Sequence, residues 1–125
     1  MNWRFIDKHQ GDFLNDRLRI EATRSFTAGG APDLYLLTHP FQRPQDQPVH
    51  LLLRFQSGDP QAQINGLTNE AFLAIVEDRL TAFQRGPCAC QANGQALLCV
   101  QTALAALKAR TAERVARGVD GTQEP

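Results

Sequence analysis

Two arginines near the end of this 125-residue chain are the side chains best suited to bind an anion. Arg110 and Arg114 stand four apart in "KARTAERVARG", so they share one face of a helix, and Arg117 follows one step further. Two guanidinium forks at this spacing can clamp phosphate oxygens. The alternative is a solvated helix face whose cations complement the negative end of the helix dipole.

A phenylalanine and an asparagine flank an abrupt break in the same half of the chain. Phe83 precedes Gly86-Pro87 in "TAFQRGPCACQANGQ", and Asn93 follows it. Each has an ordinary explanation, Phe83 as a core residue and Asn93 as a hydrogen bonder that fastens a helical hairpin. Together they could also hold a flat ring and its polar edge.

The corner of a predicted hairpin and its C-terminal end lie roughly 30 Å apart at 1.5 Å per residue. Phe83 and Asn93 could therefore meet Arg110 and Arg114 only across a subunit boundary, as they would in an antiparallel dimer of hairpins. A ring, an amide and two cations are the parts of a site for a nucleotide-like ligand.

The cysteines favour neither a metal site nor a disulfide framework. Cys88, Cys90 and Cys99 lack the paired spacing of a zinc site, and the three histidines lie in the other half of the chain. Cys88 follows Gly-Pro at a helix start, where the dipole could activate a thiol, but no histidine is nearby in sequence to serve as a base. An odd number of cysteines suits a reducing cytosol.

The sequence offers little support for an enzyme or a nucleic-acid binder. It contains no G-x-x-x-x-G-K-[ST], G-x-S-x-G or G-x-G-x-x-G motif. Thirteen basic and thirteen acidic residues cancel, whereas a long nucleic acid requires a basic stripe. Polar residues interrupt every apolar run, so we expect no signal peptide, no membrane span and an intracellular protein.

The elements that position these residues fall into two halves. Period-2 patterns predict strands over residues 17–24 and 49–56, and a short, apolar, β-compatible run predicts one over residues 33–38. Turn signals bracket a short last strand near residues 61–64. The first dozen residues fit no period. We therefore expect a small antiparallel sheet from about Asp12 to Ile64.

After Gly66 the period becomes helical. Thr68 is a predicted N-cap, and apolar residues then recur at spacings of three and four: Phe72, Ile75, Val76, Leu80 and Phe83. Pro87 can open a second helix, predicted over Cys88 to Arg117, with Gly118 as its C-cap and a tail beyond. The fold class is thus α+β, one domain of 1–125 with a β-rich half at 12–66, a two-helix antiparallel hairpin at 67–118 and a tail at 119–125.

Two stripes run along the second predicted helix. Leu97, Val100, Leu104 and Leu107 show heptad-like spacing, whereas Cys99, Ala103 and Ala106 place small residues on another flank. One partner helix cannot cover both, so we expect a homo-oligomer, a dimer or a hexamer.

Several segments together resemble the phage Thoeris anti-defence sponge family, which shares its helical hairpin with a phage anti-CBASS sponge. They run in order from about Leu14 to Thr122: "LNDRLRIEA", "AGGAPDLYLL", "RFQSGDP", "NGLTNEAFLAIVEDRL", "FQRGPCACQAN" and "RTAERVARGVDGT". The resemblance implies a phage protein without a catalytic step, acting in the cytoplasm of the bacterial host. It would sequester glycocyclic ADP-ribose, and some family members also bind cyclic di- or trinucleotides at a separate site.

The resemblance also assigns ligand contacts. In the family, the phenylalanine of an F-Q-x-G-P motif, the asparagine ten residues later, and the two arginines of R-T-x-x-R contact the signal. These positions are Phe83, Asn93, Arg110 and Arg114; no catalytic residue, metal or cofactor is implied. The chain departs from the family at Cys88, which replaces an aromatic residue, at Ala112, which replaces an arginine, and around Asn93, where Ala92 and Gly94 replace an acid and an alanine.

Three alternatives stay open beside a glycocyclic ADP-ribose sponge. The chain could be a sponge mainly for the cyclic di- or trinucleotides of CBASS, or a hairpin module that mediates only protein assembly. It could also be an enzyme that degrades the signal, which would release fragments instead of the intact molecule.

Overall fold

Four antiparallel strands and then two helices follow one another along the chain. The computed structural model describes residues 3–23, 30–40 and 47–120, which form two compact units that adjoin in sequence at Gly66 and Leu67. The elements in chain order are β1 (Trp3–Ile6), a single 3-10 turn (Asn15–Arg17), β2 (Arg19–Thr23), β3 (Leu34–His39), β4 (Val49–Arg54), α1 (Asn69–Gln84) and α2 (Gln91–Ala116). The predicted α+β class, a sheet followed by two helices, is confirmed.

The sheet is an antiparallel meander in the order β1-β2-β3-β4. Its register pairs Ala22 with Tyr35 and Tyr35 with Leu53, so these three side chains share one face. Ala22 is fully buried on this face, and the Tyr35 ring meets Phe55 edge to face at 5.5 Å. The alternation of β2 and β4 and the short apolar run of β3 were therefore sufficient to predict these three strands.

The sheet begins earlier than predicted, because β1 lies within the first dozen residues that fitted no period. Its outer positions Trp3 and Ile6 are half-buried, whereas Arg4 and Phe5 between them are exposed. A strand of four residues with this burial shows no alternation to detect. Phe5 is 64% exposed and carries the Arg19 guanidinium 5.1 Å from its ring centre.

The predicted last strand near residues 61–64 is wrong. These residues form a turn and an irregular stretch in which Ile64 is 80% exposed. Side chains satisfy the backbone here: Asn65 N–H donates to Oε1 of Gln56 at 2.9 Å, and Ser57 N–H donates to Oδ1 of Asn65 at 2.8 Å. Such local bonds replace the ladder that a strand would need.

The hairpin helices begin and end at recognisable caps. Thr68 Oγ1 accepts from Ala71 N–H at 3.0 Å, which confirms the predicted N-cap of α1. At the other end Gly118 adopts φ +72°, its N–H donates to Val115, and Val119 N–H donates to the Arg114 carbonyl. This pair of bonds is a Schellman motif, which explains why a glycine ends α2.

The predicted start of the second helix at Cys88 is wrong, because the helix starts three residues later. The prediction that Pro87 opens this helix is wrong for the same reason. Helix α2 begins at Gln91 with Cys90 as its N-cap, and it ends at Ala116 rather than Arg117. The Gln84 side chain accounts for the later start of the helix. It accepts a hydrogen bond from Cys90 N–H at 3.0 Å and donates one to the Cys90 carbonyl at 3.1 Å. These bonds hold Cys90 in extended backbone.

Residues 1–2, 24–29, 41–46 and 121–125, the last of them in the predicted tail, lie outside the described residues. Over the described ranges, no helix is long and apolar enough to cross a membrane. The prediction of a single domain stays a prediction.

Candidate functional site

Each helix of the hairpin presents one half-buried row and one exposed flank. The half-buried rows recur every three or four residues: Leu73, Glu77, Leu80 and Gln84 on α1, and Leu97, Val100, Leu104, Leu107 and Thr111 on α2. The helices are antiparallel, because Glu70 near the start of α1 accepts from the Thr111 hydroxyl near the end of α2 at 3.1 Å. The heptad-like stripe predicted on α2 is therefore the row that faces α1.

The residues that immediately precede these rows form a second surface, which we call the assembly face. It consists of Phe72, Val76, Arg79 and Phe83 on α1 and of Cys99, Ala103, Ala106 and Arg110 on α2. In antiparallel helices, equivalent flanks lie on the same side of the pair, so the two sets adjoin. Apart from the half-buried Phe72, every residue of this face is exposed in the single chain.

Phe83 lies at the corner end of the assembly face and is 38% exposed. The guanidinium of Arg79, one turn earlier, lies 5.5 Å from its ring centre. A cation over an aromatic face is attractive, and the arrangement places a positive charge beside the ring. Arg79 was not among the residues predicted from the sequence, although its spacing of four from Phe83 was a usable signal.

Asn93 lies in the first turn of α2, at the same end as Phe83. Its side-chain Nδ2 donates to the Cys88 carbonyl at 3.2 Å, and its backbone N–H donates to Sγ of Cys90 at 3.4 Å. Asn93 thus fastens the corner, the ordinary role considered for it. A Cβ on Gly94 would lie 3.0 Å from Nε2 of Gln84, so glycine at this position gives the Gln84 amide room to close the corner.

The two arginines have different environments, although the sequence grouped them. Arg110 is exposed and lies on the assembly face, at the end opposite Phe83. Arg114 is 4% exposed, and its Nη2 donates to the Val119 carbonyl at 2.8 Å, just beyond the helix end. The interpretation of a solvated face is therefore wrong for Arg114, which caps the helix from a buried position.

The single chain does not bring the four predicted residues together. Arg110 follows Asn93 by 17 residues along α2, which is about 26 Å at 1.5 Å per residue. Phe83 and Asn93 therefore lie at one end of the hairpin, whereas Arg110 and Arg114 lie at the other. A second subunit is required to unite them, as the sequence analysis expected.

The remaining chemistry of the hairpin lies apart from these residues. Cys88, Cys90 and Cys99 are free and exposed, and the described residues contain no group of three or more histidine, cysteine or acidic side chains arranged to hold a metal. An open groove of about 460 Å³ lies between the helices. Its lining includes Glu70, Ala74 and Lys108, on the side opposite the assembly face.

Comparison with known proteins identifies a phage relative. No protein-family model matches the chain. Over 60 residues it is 45% identical to Thoeris anti-defense 1 of Bacillus phage SBSphiJ7, which covers 48% of this chain and 42% of that protein. The aligned part thus spans less than half the length of the relative. This identity confirms the resemblance to the Thoeris anti-defence family that the sequence motifs carry.

Proposed function

We propose that the chain is a phage anti-defence protein that binds and sequesters a cyclic nucleotide immune signal without cleaving it, in the cytoplasm of the bacterial host. The signal we propose is glycocyclic ADP-ribose of the Thoeris system. The observation that carries this proposal is the assembly face, which presents an aromatic ring at one end and an exposed guanidinium at the other. The similarity to a protein named for Thoeris anti-defence supports the biological role.

The proposed site is shared between two copies of the chain. If two assembly faces meet antiparallel, Phe83 and Asn93 of one copy approach Arg110 and Arg114 of the other. The residues at the centre of the face, Ala103 and Ala106, are small enough for two helices to pack closely. A homo-oligomer therefore forms the pocket, and each twofold contact creates two equivalent sites.

Each side chain of the proposed site contacts a different part of the nucleotide. Phe83 offers its ring to a base, and Arg79 adds a positive charge beside that ring. Arg110 is exposed and can form a bidentate pair with a phosphate. Arg114 donates to the Val119 carbonyl, so its guanidinium is held in position and places a fixed positive charge at the end of α2.

Native mass spectrometry with a panel of glycocyclic ADP-ribose isomers and cyclic oligonucleotides tests this proposal. We expect the oligomer to retain glycocyclic ADP-ribose, and heating to release it intact. A sponge has no turnover and must bind tightly; a nanomolar dissociation constant corresponds to about −12 kcal/mol.

The same experiment separates the alternatives. Retention of cyclic di- or trinucleotides alone would indicate a CBASS sponge, and fragments after heating would indicate a hydrolase. An oligomer that retains no ligand from the panel would leave only an assembly module, and the proposed function would then be wrong.

A further inference from the structure

Two of the three cysteines lie together at the hairpin corner. Cys88 and Cys90 are separated by a single residue, and both thiols are free and exposed. The Cα atoms of two such residues lie at most about 7 Å apart, and a disulfide joins Cα atoms about 4.4–6.8 Å apart. The chain itself therefore brings these two thiols within reach of a disulfide.

The third cysteine does not belong to this pair. Cys99 follows Cys90 by nine residues along α2, which is about 14 Å at 1.5 Å per residue. Its sulfur accepts a hydrogen bond from Nε2 of Gln95 at 3.5 Å, within the helix. Within one chain, a disulfide is therefore open to Cys88 and Cys90 but not to Cys99.

Asn93 forms a hydrogen bond with each cysteine of the pair. Its backbone N–H donates to Sγ of Cys90 at 3.4 Å, which makes this thiol the N-cap of α2. Its side-chain Nδ2 donates to the Cys88 carbonyl at 3.2 Å. The first turn of α2 is thus fastened to both cysteines, and a change in either of them reaches Asn93.

The backbone between the two thiols is set by other bonds in the reduced protein. Gln84 holds the N–H and the carbonyl of Cys90 at 3.0 and 3.1 Å, and Cys90 adopts extended backbone with φ −158° and ψ 163°. A disulfide between Cys88 and Cys90 closes a small ring that runs through the backbone of Ala89. Such a ring imposes its own geometry, so it competes with the contacts of Gln84.

We propose that Cys88 and Cys90 form a reversible disulfide, and that this bond loosens the first turn of α2 and lowers the affinity for the ligand. The effect on affinity rests on the proposed function, because Asn93 belongs to that site. In a reducing cytosol such a disulfide is transient and reports on oxidants.

The oxidant is a peroxide. One thiol takes an oxygen from hydrogen peroxide as the O–O bond breaks, which gives a sulfenic acid and water. The second thiol attacks that sulfur, the S–O bond breaks, and a second water leaves as the disulfide forms. The two electrons that the thiols give up reduce the peroxide. A thiol reductant returns both cysteines to their starting state.

Oxidation acts on the helix through the sulfur of Cys90. In the reduced protein this sulfur accepts from Asn93, three residues ahead, whereas the disulfide bonds it to Cys88, two residues behind. The bond to Cys88 draws it away from the Asn93 N–H, and a helix that loses its N-cap frays at the first turn. Asn93 then loses its fixed position at the corner, and the ligand binds more weakly.

Treatment with hydrogen peroxide, followed by intact-mass spectrometry, tests the disulfide without any ligand. We expect single chains of the parent to lose two hydrogens and to recover them with dithiothreitol. Cys99→Ser is the matched control and should behave as the parent does, whereas Cys88→Ser and Cys90→Ser should not form the bond. Three free thiols in the treated parent, or absence of the bond in Cys99→Ser, would overturn the modification site.

Amide hydrogen exchange, measured by NMR, reports on the start of α2. We expect the Asn93 N–H to exchange about ten-fold or more faster in the oxidised parent than in the reduced parent. In Cys90→Ser the rate should not respond to peroxide, because the serine hydroxyl accepts the same N–H and cannot form a disulfide. The same rate in the oxidised and the reduced parent would overturn the loosening of the helix.

Calorimetry with glycocyclic ADP-ribose tests the effect on binding. We expect the oxidised parent to bind about ten-fold or more weakly than the reduced parent, and dithiothreitol to restore the affinity. Cys90→Ser should bind equally before and after peroxide. Equal affinities in the oxidised and the reduced parent would overturn the regulation and leave the sponge function standing.

Failure of the proposed function gives a different result. If the reduced parent binds neither glycocyclic ADP-ribose nor a cyclic oligonucleotide, the proposed function is wrong, and the effect on affinity is wrong with it. The mass and exchange measurements use no ligand, so they decide on the disulfide and on the helix start in either case.

Discussion

Replacing Arg110 and Arg114 one at a time separates binding from folding, because the structure gives the two arginines different surroundings. Arg110 is exposed on the assembly face, whereas Arg114 is 4% exposed and donates to the Val119 carbonyl at 2.8 Å. We expect Arg110→Ala to lose ligand with little change in stability. We expect Arg114→Ala to lose both.

The stability difference follows from these contacts. A hydrogen bond from a charged donor contributes about 1.5–3 kcal/mol, and its loss in Arg114→Ala also leaves the Val119 carbonyl without that donor. Arg114→Ala should therefore melt several degrees below the parent. An exposed substitution without such a contact changes stability by less than about 0.5 kcal/mol, so Arg110→Ala should melt with the parent.

The affinity difference follows from the charge. Removing one partner of a desolvated charge pair costs about 2–5 kcal/mol, which is about 30-fold to several thousand-fold in dissociation constant. Arg110→Lys should recover little of it, because lysine lacks the planar fork. Lys108→Ala removes an exposed cation from the opposite flank of α2 and is the matched control.

Thermal melts and calorimetry with glycocyclic ADP-ribose measure both effects. Parental affinity in Arg110→Ala, for every ligand that the parent binds, would refute the proposed site. An unchanged melting temperature in Arg114→Ala would refute the capping role of its guanidinium. In either case the Lys108→Ala result shows whether a nonspecific loss of charge explains the data.

Three other substitutions test the assembly face and the packing of the chain. Ala103→Glu should shift the mass measured by light scattering toward that of the monomer, because it buries a charge in the proposed contact. Ala109→Glu, on the outer side of α2, should not shift it. The same mass in both variants would count against that contact. Gly66→Ala should destabilise the fold by more than about 2 kcal/mol in denaturant unfolding, because its Cβ would overlap sterically with backbone atoms of Arg54, Phe55 and Gln56. A parental midpoint would contradict this. Hydrogen bonds from Asn15 hold the pKa of Asp12 below its ordinary 3.8. This carboxylate therefore stabilises the fold above pH 3.8 and ceases to do so as the pH falls through its lowered pKa. The melting temperature of Asp12→Ala should differ from that of the parent at neutral pH and converge with it in acid.

The sequence predicted most of the architecture because its periods are clear where one face is buried. The strands β2, β3 and β4 and the caps Thr68 and Gly118 lie where the patterns placed them. Neither the first strand nor the non-strand conformation of residues 61–64 was predictable in this way. Both depend on local contacts, the Phe5 ring with Arg19 and the Gln56 and Asn65 side chains with loop backbone.

Periodicity could not decide which face of α1 turns inward. Phe72, Val76 and Phe83 recur at helical spacing, and so do Leu73 and Leu80 one position away. Both rows are apolar, so the pattern fits either. In the structure the second row is half-buried against α2, and the first row remains largely exposed. Such a doubly apolar helix is itself a sign that a further partner covers it.

The different surroundings of the two arginines in the candidate site were not predictable from their spacing. Their spacing of four put Arg110 and Arg114 on one face, but consecutive turns of a helix drift, so the second arginine lies closer to α1 than the first. The hydrogen bond of Arg114 also depends on Gly118, because the positive φ of this glycine turns the chain back and brings the Val119 carbonyl to the guanidinium. No pattern in the sequence states where a chain goes after such a turn.

Folding and assembly should be linked in this protein, because the single chain buries little. Ala22 is the single buried hydrophobic residue among those described, whereas Ile75 and Val76 on α1 are 59% and 39% exposed. A contact on the assembly face would remove apolar surface from water at about 25 cal/mol per Å², and only folded chains present that surface. The melting temperature should therefore rise with protein concentration. Ligand should raise it further, because a ligand concentration of about a hundred times the dissociation constant adds about 2.7 kcal/mol to the free energy of unfolding. Differential scanning fluorimetry over a wide range of concentrations measures both shifts. A melting temperature independent of protein concentration would show that the exposed rows of the hairpin contribute nothing to stability.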